Sequence, residues 1–326
     1  MSQTTDIFHY VKKHVPILDV VQTYVHLKRS GSYWKGYSPF KNENVPSFTV
    51  TPEKGIYYCF STNIGGDVIH FTSHMENCSQ YEAAQYLIDR YQLQPPYELN
   101  NTKHDDKKDY HLICSLFAHW CHQYLQKAHK PYAYLTQRGF TDAIISQFQL
   151  GYCPKKQYFF DSFLPFIQQR GFSRNHLEQA HIIKQGHYGP YCPFEGRIIF
   201  PIANQLGHIC GFGGRVITAD DQRAKYYNSQ DHPYFNKKEL LYGLDKAKSA
   251  IQSSGYVYLV EGYTDCLAMV AAGYTNTVAT LGTACTKEHL SVLSRYARSL
   301  YVLYDGDSAG QNALLRLTQL CWNVYL

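Results

Sequence analysis

The chain has 326 residues, of which 44% are hydrophobic, 17% charged and 15% aromatic, and a formal net charge of +5. At about 150 residues per domain this length predicts two domains with room for a small third, and the apolar share excludes wholesale disorder. The mild positive charge permits a polyanionic partner without requiring one. The first residues lack a signal-peptide pattern, and no run approaches the roughly 18–20 apolar residues of a membrane span. The ten cysteines include no C-x-x-C pair. Reduced thiols in a cytoplasmic protein without a membrane partner are therefore expected.

Ile7, Tyr10 and Val11 recur at helical spacing, and a second set, Ile17, Val20, Val21 and Tyr24, follows Pro16. Between Tyr33 and Tyr58, glycines and prolines separate short runs such as 47–50 and 56–60, which predicts a small antiparallel sheet. Gly65-Gly66-Asp67 is expected to cap a helix, with another over 81–91. Residues 100–109 are polar and charge-mixed and read as a linker. Helices are predicted over 110–130, 141–148 and 161–170, followed by a hairpin of strands 197–202 and 208–212 about the loop 204–207. From Tyr256, strands at 256–260, 277–281 and 300–304 alternate with helices at 265–272, 287–296 and 309–320. Such alternation predicts parallel strands joined by right-handed crossovers.

Ligands collect at the carboxyl ends of the strands in an open parallel sheet. The first of these strands runs directly into Glu261 and the third into Asp305, with Asp307 two residues on. Either acidic motif alone is more often a turn or a helix cap. Together, at equivalent strand ends, they outweigh that reading. Gly262, Gly306 and Gly310 flank them and allow close backbone approach. Carboxylates facing a phosphate would repel it, so the arrangement makes chemical sense with Mg²⁺ between them.

The stretches Val260-Glu261-Gly262-Tyr263-Thr264-Asp265, Leu281-Gly282-Thr283-Ala284 and Tyr304-Asp305-Gly306-Asp307-Ser308-Ala309-Gly310 resemble the Toprim domain, and more narrowly that of bacterial DnaG-type replicative primases. Residues 196–216 and 224–244 resemble the segment before Toprim in those enzymes, and residues 38–60 with 65–71 resemble their zinc ribbon. The resemblance implies a multidomain α+β and α/β chain. Residues 1–99 would be a zinc-ribbon-like DNA-binding domain, 100–110 a linker, 111–255 the N-terminal subdomain of the primase core, and 256–326 an incomplete Toprim domain.

The same resemblance implies a DNA primase, a DNA-directed RNA polymerase that makes short RNA primers on single-stranded DNA from ribonucleoside triphosphates. Glu261, Asp305 and Asp307 would organise Mg²⁺ or Mn²⁺, with Asp265 supporting them. Arg197, Arg215, Lys225, Asn228 and Lys237 would face template or nucleotide phosphates. For each of these, an ordinary surface charge is the plainer alternative. A replicative helicase is a further partner of the full-length family.

Two departures stand out. The family's C-x2-H…C-x2-C zinc positions read Ser38, Lys41, Cys59 and Thr62, and one thiolate cannot hold Zn²⁺. The ribbon is therefore expected to lack zinc and to be held by Tyr33, Trp34, Phe40, Phe48, Tyr57, Tyr58 and Phe60. His70, His74 and Cys78 fall at i, i+4 and i+8 and form a weaker candidate metal site. The family's last acidic cluster and helicase-binding region are also expected to be missing, in a fragment or a shortened homologue. This leaves open a rival reading, an impaired or non-catalytic nucleic-acid-binding relative.

Overall fold

The computed structural model describes residues 3–41, 43–76, 78–94, 106–218 and 221–325. Its contacts divide the chain into two compact units, Met1–Thr102 with Ser294–Ala297, and Lys103–Leu293 with Arg298–Leu326. No helix among the described residues is long and apolar enough to cross a membrane.

In the first unit the helix Gln3–His14 buries Ile7 and Val11. Pro16, in extended conformation, turns the chain into the helix Ile17–Gln22. Five antiparallel strands follow in chain order: β1 (Lys28–Ser30), β2 (Tyr33–Gly36), β3 (Phe48–Thr51), β4 (Ile56–Cys59) and β5 (Ile64–Gly66). The two-residue period of a strand puts Phe48, Val50, Tyr57 and Cys59 in the core and leaves Ile56 and Tyr58 outside. The Tyr57 ring stacks on Phe48 at 5.4 Å and meets Phe71 edge-on at 5.2 Å.

The aromatic scaffold is smaller than expected. Phe48 and Tyr57 form it, with Phe40 and Trp34 packed alongside, whereas Tyr33, Tyr58 and Phe60 are exposed. The glycines expected to cap a helix belong instead to β5. Asp67 makes the cap, its Oδ1 accepting from the backbone N–H of Ile69 and His70 at the head of the helix Val68–Glu76. Ser79 and Glu82 form a capping box for the helix Gln80–Arg90.

In the second unit the helix Asp106–Lys127 begins inside the stretch expected as a linker, so residues 106–110 are helical. Residues 100–105 lie outside the described residues. Strands β6 (Gly151–Cys153), β9 (Arg197–Ala203), β10 (Ile209–Val216) and β11 (Tyr226–Asn228) form an antiparallel sheet in the order β11-β10-β9-β6. Between β6 and β9 in sequence lies a separate hairpin of β7 (Lys184–Gly186) and β8 (Gly189–Tyr191). The predicted loop joins β9 to β10, where Asn204 Oδ1 accepts from the N–H of Leu206 and His208, and Gly207 takes a positive φ of 86°.

The predicted alternation follows as β12 (Tyr256–Val260), β13 (Thr277–Ala279) and β14 (Ser299–Leu303), all parallel. The helices Tyr263–Ala271, Lys287–Leu293 and Ser308–Tyr325 accompany them. Both sheets of this unit share one core. Phe200 of β9 stacks on Tyr263 at 5.1 Å, and Phe117, Phe163, Phe212 and Cys266 join the same cluster. Close approach requires glycine at 213 on β10, where a Cβ would lie 2.5 Å from the Tyr263 ring. Gly213→Ala is therefore expected to lower stability by roughly 1–3 kcal/mol through overpacking, read as a lower urea midpoint with unchanged slope.

Candidate active site

The parallel strands lie in the order β13-β12-β14, so the winding of the chain reverses between β12 and β14. Such a reversal sends the two following loops in opposite directions and opens a crevice at the carboxyl edge. Val260 stands beside Leu303 in the register, so Glu261 and the Tyr304-Asp305 pair leave the sheet as neighbours. The Asp305 N–H donates to Glu261 Oε1 at 3.1 Å. From the β13 side, Thr280 Oγ1 donates to the Glu261 carbonyl at 3.1 Å. Glycine at 310 leaves room for this junction, since a Cβ there would fall 2.1 Å from the Asp305 carbonyl and 3.0 Å from Glu261 Oε1.

The other two acids sit at helix starts. Asp307 Oδ1 accepts from the Gly310 N–H at 2.8 Å, and Asp265 Oδ2 accepts from the Gly262 N–H at 3.1 Å, positions a helix dipole favours for carboxylates. Desolvation, and after it the Asp305 charge, hold the Asp265 carboxyl above its usual range, while Arg138 pulls the other way. Arg138 is a residue the sequence reading missed. It closes the helix His129–Gln137, donates to Tyr134 Oη at 3.0 Å and lies over that ring. In the sequence, Arg138-Gly139 carries only the signal of a helix end.

The predicted basic set divides into two kinds. Arg197 and Arg215 are interior, 3% and 8% exposed. Arg197 Nη1 donates to the carbonyl of Ala224 at 2.9 Å, and Arg215 Nη1 donates to Tyr226 Oη at 2.6 Å, bracing β9, β10 and β11 from within. Asn228 donates to the Leu281 carbonyl at 2.7 Å and accepts from Tyr263 Oη at 2.8 Å, tying β11 to the parallel sheet. Lys225 is exposed, and Lys237 is half-buried with Nζ 3.8 Å from Asp231.

At the ribbon positions of the first unit, Cys59 is fully buried, with Sγ 3.1 Å from Ser38 Oγ and 3.3 Å from Ser61 Oγ. Burial raises its thiol, but hydrogen bonds to Ser38 and Ser61 outweigh this and bring it down to about 7. Lys41 is exposed. The His70, His74 and Cys78 spacing does not persist, because the helix ends at Glu76 and the Cys78 N–H turns back to the Ser73 carbonyl. Among the described residues, no three His, Cys, Asp or Glu side chains are grouped to enclose a metal ion.

Three family descriptions match successive stretches of the chain: CHC2 zinc finger over residues 3–103, DNA primase catalytic core N-terminal domain over 120–248, and Toprim-like over 258–324. The DNA primase of Staphylococcus aureus (strain COL) is 33% identical over 323 residues, 96% of this chain and 53% of the relative. The crystal structure of the Aquifex aeolicus primase zinc-binding and RNA polymerase domains is 31% identical with a TM-score of 0.64, covering 98% of this chain and 76% of that one. The chain belongs to the DnaG primase family. A DnaG catalytic domain solved bound to single-stranded DNA is also similar, at 29% identity and a TM-score of 0.59, covering 67% of this chain and 68% of that one. The chain spans about half the length of the curated DnaG relatives it matches.

Membership implies divalent-metal chemistry at the Toprim-like region, and the residues fit it. The rim offers hard carboxylate oxygens, and at Asp265 burial, followed by the Asp305 charge, already opposes ionisation. Separated carboxylates suit a cation that retains water and phosphate ligands better than one fully enclosed by protein. Zinc does not fit the ribbon. Of Ser38, Lys41, Cys59 and Thr62, only Cys59 is a soft donor, and Lys41 brings a positive charge.

The two kinds of basic-set residue give a direct test. Asn228→Ala leaves the buried Tyr263 hydroxyl without its acceptor and should cost about 1–3 kcal/mol, whereas Lys225→Ala should stay within about 0.5 kcal/mol of wild type. Urea denaturation followed by circular dichroism reads both.

Proposed function

We propose that this chain performs the chemistry of DnaG primases, template-directed joining of ribonucleotides into short primers on single-stranded DNA. The observation that carries this reading is the meeting of Glu261 and Asp305 at the winding reversal of the parallel sheet. Glu261, Asp305 and Asp307 are the residues that would hold Mg²⁺ or Mn²⁺, which when bound supplies charge neutralisation to the transferring phosphate. The chain's own share is preorganisation. Glu261 is fixed through its carboxylate and its carbonyl by two neighbouring strands, so little reorientation remains when substrate arrives. Asp265 supports the rim through the Gly262 N–H.

Arg138 and Lys225 offer exposed cationic heads to template or nucleotide phosphates. Arg197, Arg215 and Asn228 act by holding that surface in place from beneath, and Lys237 lies at its margin. In the first unit an open groove of about 510 Å³ is lined by Tyr33, Lys35, Ser47, Thr49 and Phe60. Exposed aromatic rings beside a lysine suit stacking of unpaired bases with a phosphate contact, which supports a DNA-binding role for this unit. We further infer that the ribbon works without zinc and that the protein acts in the cytoplasm, where template and ribonucleotides meet.

The test is ribonucleotide incorporation on single-stranded DNA with Mg²⁺. Wild type should make short RNA, and Asp305→Ala should lose about 10²–10³-fold. Arg138→Ala should raise KM for template or nucleotide more than it lowers kcat. DNA binding without product from wild type would favour the non-catalytic reading, and full activity of Asp305→Ala would refute the site.

A further inference from the structure

Three of the four zinc positions lack the family's donor, yet the segments that zinc would join are still joined. Glu43 is the junction. Its Oε1 accepts from the backbone N–H of Ser38 at 2.7 Å and of Ser47 at 3.0 Å, and its Oε2 accepts from Ser47 Oγ at 2.6 Å. Ser47 Oγ lies 2.9 Å from Ser61 Oγ, and Ser61 Oγ lies 3.3 Å from Cys59 Sγ. Cys59 Sγ closes the circuit at 3.1 Å from Ser38 Oγ, and that oxygen also accepts from the Phe40 N–H. One carboxylate, three serines and one thiol thus link Ser38 and the segment 43–47 to the end of β4 and the turn after it. These are the segments that carry Ser38 and Cys59, residues at two of the four degenerate positions.

We infer that this hydrogen-bonded staple, centred on Glu43, replaces zinc as the cross-link of the ribbon. The inference rests on the zinc-free reading given above. A four-ligand metal site gives a small sheet a bond it cannot get from its core alone. A carboxylate that accepts several N–H and O–H groups at once supplies a weaker but directional equivalent, because charge-assisted hydrogen bonds are roughly twice as strong as neutral ones. Partial burial opposes ionisation of Glu43, but hydrogen bonds from Ser47, Ser61 and the Ser38 N–H outweigh it and hold the carboxyl below its usual range. The staple is therefore charged at neutral pH. Ser47 belongs both to the staple and to the wall of the groove beside Phe60, so the staple also sets the shape of the surface assigned to DNA.

The test uses the full chain, with zinc content measured by metal analysis and hydrogen exchange read on peptides within 36–62. Wild type should contain no stoichiometric zinc, and EDTA should leave its exchange unchanged. Glu43→Ala should speed exchange in these peptides about ten- to a hundredfold. A second background, Ser38→Cys with Lys41→His and Thr62→Cys, restores the family's donor set. There zinc should bind, and Glu43→Ala should become tolerated with zinc and costly again after EDTA.

Stoichiometric zinc in wild type, with faster exchange after EDTA, would sink the zinc-free reading and the staple with it. Zinc-free wild type with Glu43→Ala exchanging like wild type would sink the staple alone. Glu43→Ala remaining equally damaging in the zinc-loaded background would show that Glu43 does something other than stand in for the metal.

Discussion

The acidic rim depends on a carboxylate of one parallel strand accepting a backbone N–H from the end of its neighbour. Glu261 and Asp305 are separated by more than forty residues of sequence, and the bond between them exists only because β13 is wound to one side of β12 and β14 to the other. Everything around the junction serves that closeness. Gly310 removes the atom that would fill it, Thr280 fixes the Glu261 backbone, and Asp265 and Asp307 hold the two adjoining helix starts. Like charges gathered in this way are unfavourable alone, and at Asp265 burial, with the Asp305 charge behind it, already opposes ionisation.

The antiparallel sheet beside the rim shows how a basic sequence signature can be structural. Arg197 and Arg215 sit in the interior, Arg197 with its stem against the bare face of Gly214 and Arg215 beside Tyr226, so their guanidinium groups are covered and their Nη1 donors reach main-chain carbonyls and the Tyr226 hydroxyl. In the nucleic-acid surface proposed for this unit, they act through the positions of Lys225 and Asn228. Arg138 gains its importance in the opposite way. It is distant in sequence from every acidic motif, and only the folded helix His129–Gln137 brings its charge to bear on Asp265.

The period-two and βα patterns made the parallel strands, the β9–β10 hairpin and most helices readable from sequence, because burial of alternate or all side chains leaves a local trace. The strands β6, β7 and β8 left little, being three residues each and paired to distant or polar partners. The rim carboxylates were legible because strand ends mark the rim whatever the sheet order. The reversal between β12 and β14 was not legible, since order is a property of pairing across the sheet. In the ribbon, counting aromatics could not separate Phe48 and Tyr57 from Tyr33, Tyr58 and Phe60, whose burial depends on strand phase and strand end. Glu43 lies inside the stretch that resembles the zinc ribbon, but at none of the four metal positions. Its role arises from two loops meeting.

The most direct test of the central claim is Mn²⁺ binding to the full chain followed by electron paramagnetic resonance. Glu261→Gln with Asp305→Asn keeps the shape of the junction, including an acceptor for the Asp305 backbone N–H, and removes its charge. Wild type is expected to deplete free Mn²⁺ from solution, and the double variant to leave it free at the same protein concentration. Equal depletion by both proteins would contradict a cation site built on these two carboxylates.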